Sequence, residues 1–408
     1  MTVIGSNRKW YSRSILVWTL SIFIISCSDK DDPAPPHVKG DLVEANYAGD
    51  NLATNLKIFI QFSGRDIDTD LFLYDVDIYR VVYKTSYKVD VIGASGLILL
   101  PRTPTPVPMI SYQHGTIVEY AEAPSRQPVS SEQMVSYAAL ASMGFITVVP
   151  DYIGFGESQH IFHPYYVEEP TANAVLDMLM AARVLAETKQ VSFNKKLFLA
   201  GYSQGGYATL AAHKAIEDNP SQDFELIASF PGAGGYDIKA MQEYFFGLQT
   251  YPDPYYLAYV GMSYQTYYEE EVLTPFFKAP YASKIPLLFN GTKSPAEIDG
   301  QLTLDVKDLV TDEILMDIDT DSKFQFLREK FQENSLVDWV PVAPVFMYHG
   351  DADITVPVQN SQTTYDRLIT NGASPENLQL IALPGKDHNT AISPYIEDVV
   401  KKLDSLNP

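Results

Sequence analysis

The chain is expected to be an α/β protein with a mostly parallel central sheet flanked by helices and a helical insertion. Two features carry that expectation. From residue 107 onward short apolar strands alternate with helical segments, the rhythm of a parallel sheet covered on both faces. A glycine-flanked serine, Gly201-Tyr202-Ser203-Gln204-Gly205, stands where one of those strands hands over to a helix. At 408 residues the chain can bury a core of that size with room for an insertion.

The N-terminus reads as a targeting segment. Arg8, Lys9 and Arg13 precede Ser14–Ile25, an apolar stretch too short to span a bilayer comfortably. It ends in Ile24-Ile25-Ser26-Cys27, followed by Ser28-Asp29-Lys30-Asp31-Asp32-Pro33, and resembles a bacterial lipoprotein signal. Residues 1–27 are then the signal, with Cys27 the acylated new N-terminus, and 28–40 a disordered tether. The protein would sit in the bacterial cell envelope, as an outer-membrane or surface lipoprotein. The alternative is an ordinary signal peptide and a secreted product. Cys27 is the sole cysteine, which favours lipidation and leaves the mature chain without disulfides. A net charge of -22 argues against a nucleic-acid partner, so membrane contact is expected through the anchor only.

The elements follow in order. Asp77–Lys84 and Val91–Leu100 alternate apolar and polar residues, like paired antiparallel strands. Prolines 101, 104, 106 and 108 turn the chain into the strand Val107–Gln113. Gln133–Met143 reads as a helix, Phe145–Pro150 as a buried strand, and Thr171–Thr188 as a long helix. Lys196–Gly201 is a strand, Gly205–Glu217 a helix and Glu225–Phe230 a strand. After Gly235 the rhythm breaks for roughly a hundred residues, far longer than a loop. The interruption is tyrosine-rich first and helical in pattern around Ser322–Asn334. The core resumes with the strand Val345–Gly350, a helix over Pro357–Asn371, the strand Leu378–Leu383 and a helix from Thr390. The core therefore comprises residues 41–235 and 341–408, with 236–340 as a cap. Its tyrosines suit either a wall around a ligand or the packing of the cap itself.

A serine on a sharp strand-to-helix turn exposes its Oγ, and the flanking positions are so crowded that Gly201 and Gly205 suit them. Ser203 is the expected nucleophile. Chain order then calls for an acid and a histidine farther on. The strand Val345–Gly350 delivers Asp351 and Asp353 into the following loop, where the two compete for the place of the acid and the other would cap or brace the turn. His388, on the loop after Leu378–Leu383, is the histidine that follows, placed to act as general base. The developing oxyanion needs two backbone donors: the amide of Gln204, and one from the loop after Val107–Gln113, where Thr116 is preferred and Gly115 comes next. His160 and His163 have a metal-like spacing but no convincing third ligand, so a structured loop is expected there. His213 reads as a packing or surface residue and His349 as support for the acid-bearing turn. Pro150–Ser158 leaves a strand into a glycine-rich loop that lacks the Gly-Lys-Ser/Thr ending of a phosphate loop; it looks like the loop after the fourth strand of many α/β-hydrolases, which implies a structural role.

Together, Tyr79–Thr85, Ala94–Leu97, Pro150-Asp151-Tyr152, His163-Pro164-Tyr165, the Gly-Tyr-Ser-Gln-Gly-Gly turn and His349–Asp353 resemble the secretory lipase family of α/β-hydrolases related to fungal lipase A. The resemblance runs from about Ile78 to the C-terminus. It implies a Ser203–Asp353–His388 triad, hydrolysis of a small-molecule or lipid ester or an acylated glycan, no cofactor or metal, and a cap over the site. The fungal members rely on disulfides that this chain lacks, so cap geometry does not carry across. Two other readings are a serine peptidase of the same fold and an inactive surface lipoprotein that binds glycan or a partner.

Overall fold

The computed structural model describes residues 40–407, together with Met1, Thr2 and Gly5. The signal segment, Cys27 and the tether up to residue 39 lie outside the described residues. Nine strands form the central sheet: β1 (Leu42–Asn51), β2 (Val76–Tyr87), β3 (Asp90–Pro101), β4 (Val107–Gln113), β5 (Ile146–Pro150), β6 (Phe193–Tyr202), β7 (Glu225–Gly232), β8 (Val345–Gly350) and β9 (Leu378–Leu383). They lie side by side in the order β1-β2-β3-β5-β4-β6-β7-β8-β9. β1, β2 and β3 pair antiparallel, and so do β3 and β5. From β5 to β9 every neighbour is parallel.

The helices connect these strands. α1 (Ala53–Ser63) and α2 (Glu132–Ser142) precede β5, α3 (Glu168–Thr188) leads into β6, and α4 (Gln204–Asp218) leaves it. Between β7 and β8 the chain makes eight α-helices: α5 (Ile238–Gly247), α6 (Tyr255–Tyr268), α7 (Leu273–Phe276), α8 (Tyr281–Leu288), α9 (Pro295–Asp299), α10 (Val306–Leu309), α11 (Asp312–Asp317) and α12 (Gln325–Glu333). α13 (Val358–Asn371) and α14 (Ile392–Leu406) complete the fold.

β4, β5 and β8 are buried at nearly every position because both of their faces are covered. Leu197 and Leu199 of β6 pack with Met178, Leu179 and Ala182 of α3. Phe198, between them, points the other way, into a cluster with Tyr395, Val399 and Leu403 of α14. β3 divides likewise: Ile98 joins the α3 side and Leu97 and Leu99 join Met134 and Ala138 of α2. Each such side chain buried from water contributes about 1.5–3 kcal/mol. A one-residue slip would exchange the two faces.

Two elements lack an expectation from sequence, β1 and α1. β1 has no buried residue and twice breaks register with β2. An edge strand of that kind shows no clean alternation, because neither face is consistently buried. α1 buries only Leu56 and Ile60, so its apolar stripe is narrow. α3 starts at Glu168, ahead of Thr171, with Pro170 inside its first turn where a missing N–H costs nothing.

The interrupting helices dock on the core through tyrosines and hydroxyls. Tyr264 donates from its hydroxyl to the carbonyl of Tyr166 (3.1 Å), Ser263 Oγ donates to that of Tyr165 (3.0 Å), and Tyr207 OH to that of Asn334 (2.8 Å). The Tyr165 and Tyr259 rings stack at 4.4 Å. Both roles considered for these tyrosines occur: Tyr259, Tyr264 and Tyr267 are buried in the packing, while Tyr251 and Tyr256 line a cavity at Ser203.

Candidate active site

Three side chains distant in sequence meet at the carboxyl ends of parallel strands, the edge where such sheets place their ligands. Ser203 follows β6, with φ 62 and ψ −124, an angle pair that turns its side chain up out of the sheet. Its N–H donates to the carbonyl of Gly232 at 2.8 Å. A Cβ on Gly205 would run into the carbonyls of Gln113 and His114, and one on Gly201 into Gln113 and Gly205. The glycines are therefore what lets the turn close against β4. Behind it, Tyr395 of α14 accepts from the Gly201 N–H at 2.9 Å, and its hydroxyl reaches the carbonyl of Phe230 at 2.8 Å.

His388 Nε2 lies 2.9 Å from Ser203 Oγ, and its Nδ1 lies 2.6 Å from Asp353 Oδ2. The carboxylate accepts from Nδ1–H, which leaves Nε2 free to take the serine proton. Asp353 and His388 are both buried. The other carboxylate oxygen of Asp353 accepts the amides of Thr355 (3.0 Å) and Val356 (2.9 Å). His349 approaches Oδ2 at 3.3 Å. Burial pushes the Asp353 pKa up, but the hydrogen bonds it accepts from His349 and His388 outweigh that and hold the pKa at about 2. His349 also reaches the carbonyl of Val356 through Nε2 (2.9 Å) and Ser361 Oγ through Nδ1 (2.6 Å). A carbonyl can only accept, so Nε2 carries the proton of the neutral ring and Nδ1 accepts from the serine.

Asp351 is exposed and turned away from His388. Its Oδ1 accepts the amide of Gly385 at 2.6 Å, bracing the turn that leads to the histidine. His388 is itself steadied through its backbone, whose carbonyl accepts from Tyr202 OH at 2.8 Å.

Gly115 and Thr116 border the turn from the β4 side. A Cβ on Gly115 would stand 3.8 Å from that of Ser203, and Thr116 Oγ1 lies 2.8 Å from the hydroxyl of Tyr165. Among the described residues, the amides of Gly115, Thr116 and Gln204 have no protein acceptor. The Gln204 side chain is held from behind by His163.

The two histidines with metal-like spacing part company: His160 is exposed and His163 buried. No group of three potential metal ligands gathers among the described residues. Gly154, at φ 99, comes so close to His163 that a side chain there would strike its backbone. Asp151 is a buried brace, accepting from Ser95 Oγ (2.6 Å), Ser125 Oγ (2.5 Å) and the Ser125 amide (2.8 Å). His213 is buried against Ser229 (2.8 Å), a packing role. Nothing in the sequence marks Tyr395 for its place behind the nucleophile turn, and His163 reads there as a residue of a structured loop. The faint signal for His163 was its place in the His-Pro-Tyr segment.

Comparison with known proteins agrees with this architecture. A family model described as secretory lipase matches residues 125–252. A Legionella pneumophila protein described as a hydrolase superposes with a TM-score of 0.78 at 27% identity, covering 90% of this chain and 98% of its own. The rice cell wall degrading esterase LipA from Xanthomonas oryzae superposes with a TM-score of 0.75 at 23% identity, over 91% of this chain and 98% of that one. Candida antarctica lipase A in its closed state does so with a TM-score of 0.66 at 17% identity, over 93% and 87%. The fold is that of the α/β-hydrolases, and the resemblance to secretory lipases read from the sequence is borne out. These findings support ester hydrolysis as the class of chemistry.

Proposed function

We propose, from an α/β-hydrolase fold and a secretory-lipase match over its middle segment, that this protein is a serine carboxylic ester hydrolase. The observation that carries the reading is the unbroken relay Ser203 Oγ–His388–Asp353, with both bonds at 2.9 Å or less. Ser203 Oγ attacks the ester carbonyl while His388 Nε2 takes its proton, and Asp353 stabilises the imidazolium that forms. Charge on the former carbonyl oxygen is met by the amide of Gln204 and by that of Thr116 or Gly115; one such donor is worth about 2.7–4 kcal/mol in the transition state. Collapse breaks the ester C–O bond, and His388 returns the proton to the departing alcohol. Water, deprotonated by the same imidazole, then releases the acid and regenerates Ser203.

The reaction would take place outside the cytoplasm, with Cys27 as the lipid anchor and no further membrane contact. Among the described residues no helix is long and apolar enough to cross a membrane. Metabolic labelling with a palmitate analogue, lost in Cys27→Ser, checks the anchor.

The catalytic reading is tested by fluorophosphonate labelling and by hydrolysis of p-nitrophenyl acetate. Both should occur in the native protein and disappear in Ser203→Ala. A protein that neither labels nor hydrolyses is a binder on a hydrolase scaffold.

A further inference from the structure

The pocket that opens at Ser203 is small. It measures about 50 Å3 and is walled by Ile238, Met241 and Phe245 of α5 and by Tyr256, Leu257 and Val260 of α6. One water needs roughly 10–15 Å3 on this measure, so the space takes about four atoms of that size. The walls are apolar, and no charged side chain lines them. Three of the four tyrosines that face it direct their hydroxyls elsewhere. That of Tyr165 pairs with Thr116, that of Tyr166 accepts the Gly235 amide (3.3 Å), and that of Tyr251 donates to the Thr355 carbonyl (3.1 Å).

The walls are also tied down. The N-terminus of α5 is capped by Asp237, and its first amide donates to Ser335 Oγ (2.9 Å). Asn360 of α13 donates to the Asp237 carbonyl at 2.7 Å. α6 is held to the Tyr165-Tyr166 segment by the bonds of Ser263 and Tyr264. Enlarging the pocket means breaking several buried hydrogen bonds, so its size is a property of the fold.

From these walls we infer that the protein acts on esters of saturated acyl groups of two to four carbons. This rests on the serine-hydrolase reading. The acyl half stays bonded to Ser203 Oγ after the alcohol has left, so it is the half that must fit the pocket at Ser203. An acetyl to butyryl chain fills the space against Phe245, Leu257 and Val260. An octanoyl chain or an aromatic acyl group has no room, and a carboxylated one meets no cation. The alcohol half is not constrained by this pocket.

The test is kcat/KM of the purified protein for p-nitrophenyl acetate, butyrate, octanoate and palmitate, with Ser203→Ala as background. The expected profile peaks at acetate or butyrate and falls at least a hundredfold by octanoate. Val260→Ala should raise the octanoate-to-butyrate ratio at least tenfold, and Val260→Leu should lower the butyrate-to-acetate ratio. Val260 is only partly buried, and melting temperatures report whether both variants fold; Met241→Ala serves as the second enlarging variant. A profile that is flat, rises with chain length, or jumps for palmitate above its solubility limit overturns the short-acyl assignment and leaves the serine mechanism standing. Unchanged ratios in the folded variants overturn it too. Hydrolysis at no length, with Ser203 unlabelled, defeats the serine-hydrolase reading on which it rests.

Discussion

The side-chain amide of Gln204 donates to Nε2 of His163 across 2.7 Å, and Nδ1–H of the same ring donates to the carbonyl of Ile153 at 2.7 Å. The two bonds settle the tautomer of a fully enclosed, neutral imidazole. Burial drives its pKa down to about 3, so the acceptor at Nε2 persists throughout the neutral range. The residue that follows the nucleophile is thereby anchored from behind.

Replacing His163 with alanine should strand that amide in a buried site, a cost of about 1–3 kcal/mol. Gln204 would then lose its anchor, and with it the aim of its backbone N–H. We expect kcat to fall roughly ten- to a hundredfold with KM little changed. Steady-state kinetics beside a melting curve measure both.

Asp353 and Asp351 stand two residues apart in one loop and should behave very differently. Asp353→Asn removes the charge that holds Nδ1–H and stabilises the imidazolium, and should lower kcat by about 10^4. Asp351→Asn weakens only the brace on Gly385, at an exposed position. Its effect should be a stability change within about 1 kcal/mol, with kcat near the native value. A large kcat loss in Asp351→Asn would reverse the assignment of the acid.

Tyr395 holds the nucleophile turn from below the sheet. Tyr395→Phe leaves the Gly201 N–H buried and unpaired, and denaturant titration should register a loss of about 1–3 kcal/mol.

Asp177 of α3 is buried, and burial lifts its pKa to about 7 in spite of bonds from Thr85 Oγ1 (2.8 Å) and the Ser86 amide (3.4 Å). A carboxyl with a raised folded pKa binds more protons in the folded state than in the unfolded one. Its favourable contribution is complete below about pH 4 and is lost as pH rises through about 7. Asp177→Asn keeps an acceptor without the charge, so it should stabilise the protein at pH 8, on the order of 2–4 kcal/mol, and not at pH 4. His163 works in the opposite direction, losing stability as pH falls below about 6.5. The comparison is therefore the difference between variant and native unfolding curves at each pH, in which the His163 contribution cancels.

Much of this protein is legible along the chain. Strand and helix periods expose the parallel half of the sheet, since a strand buried on both faces is apolar at most of its positions. The Gly201–Gly205 turn and the loops after β8 and β9 are likewise visible, because a parallel sheet puts the ends of its strands at one edge. What the chain order cannot express is distance between segments. His163 reaches Gln204 and Tyr395 reaches Gly201 only when α14 and the loop after β5 have packed. Whether Asp353 or Asp351 turns toward His388 depends on where the loop after β8 tucks under His349. The pocket at Ser203 owes its size to two helices held by Ser263, Tyr264 and Ser335. A periodic pattern states which face of an element is apolar; the volume left between two such faces depends on how they meet.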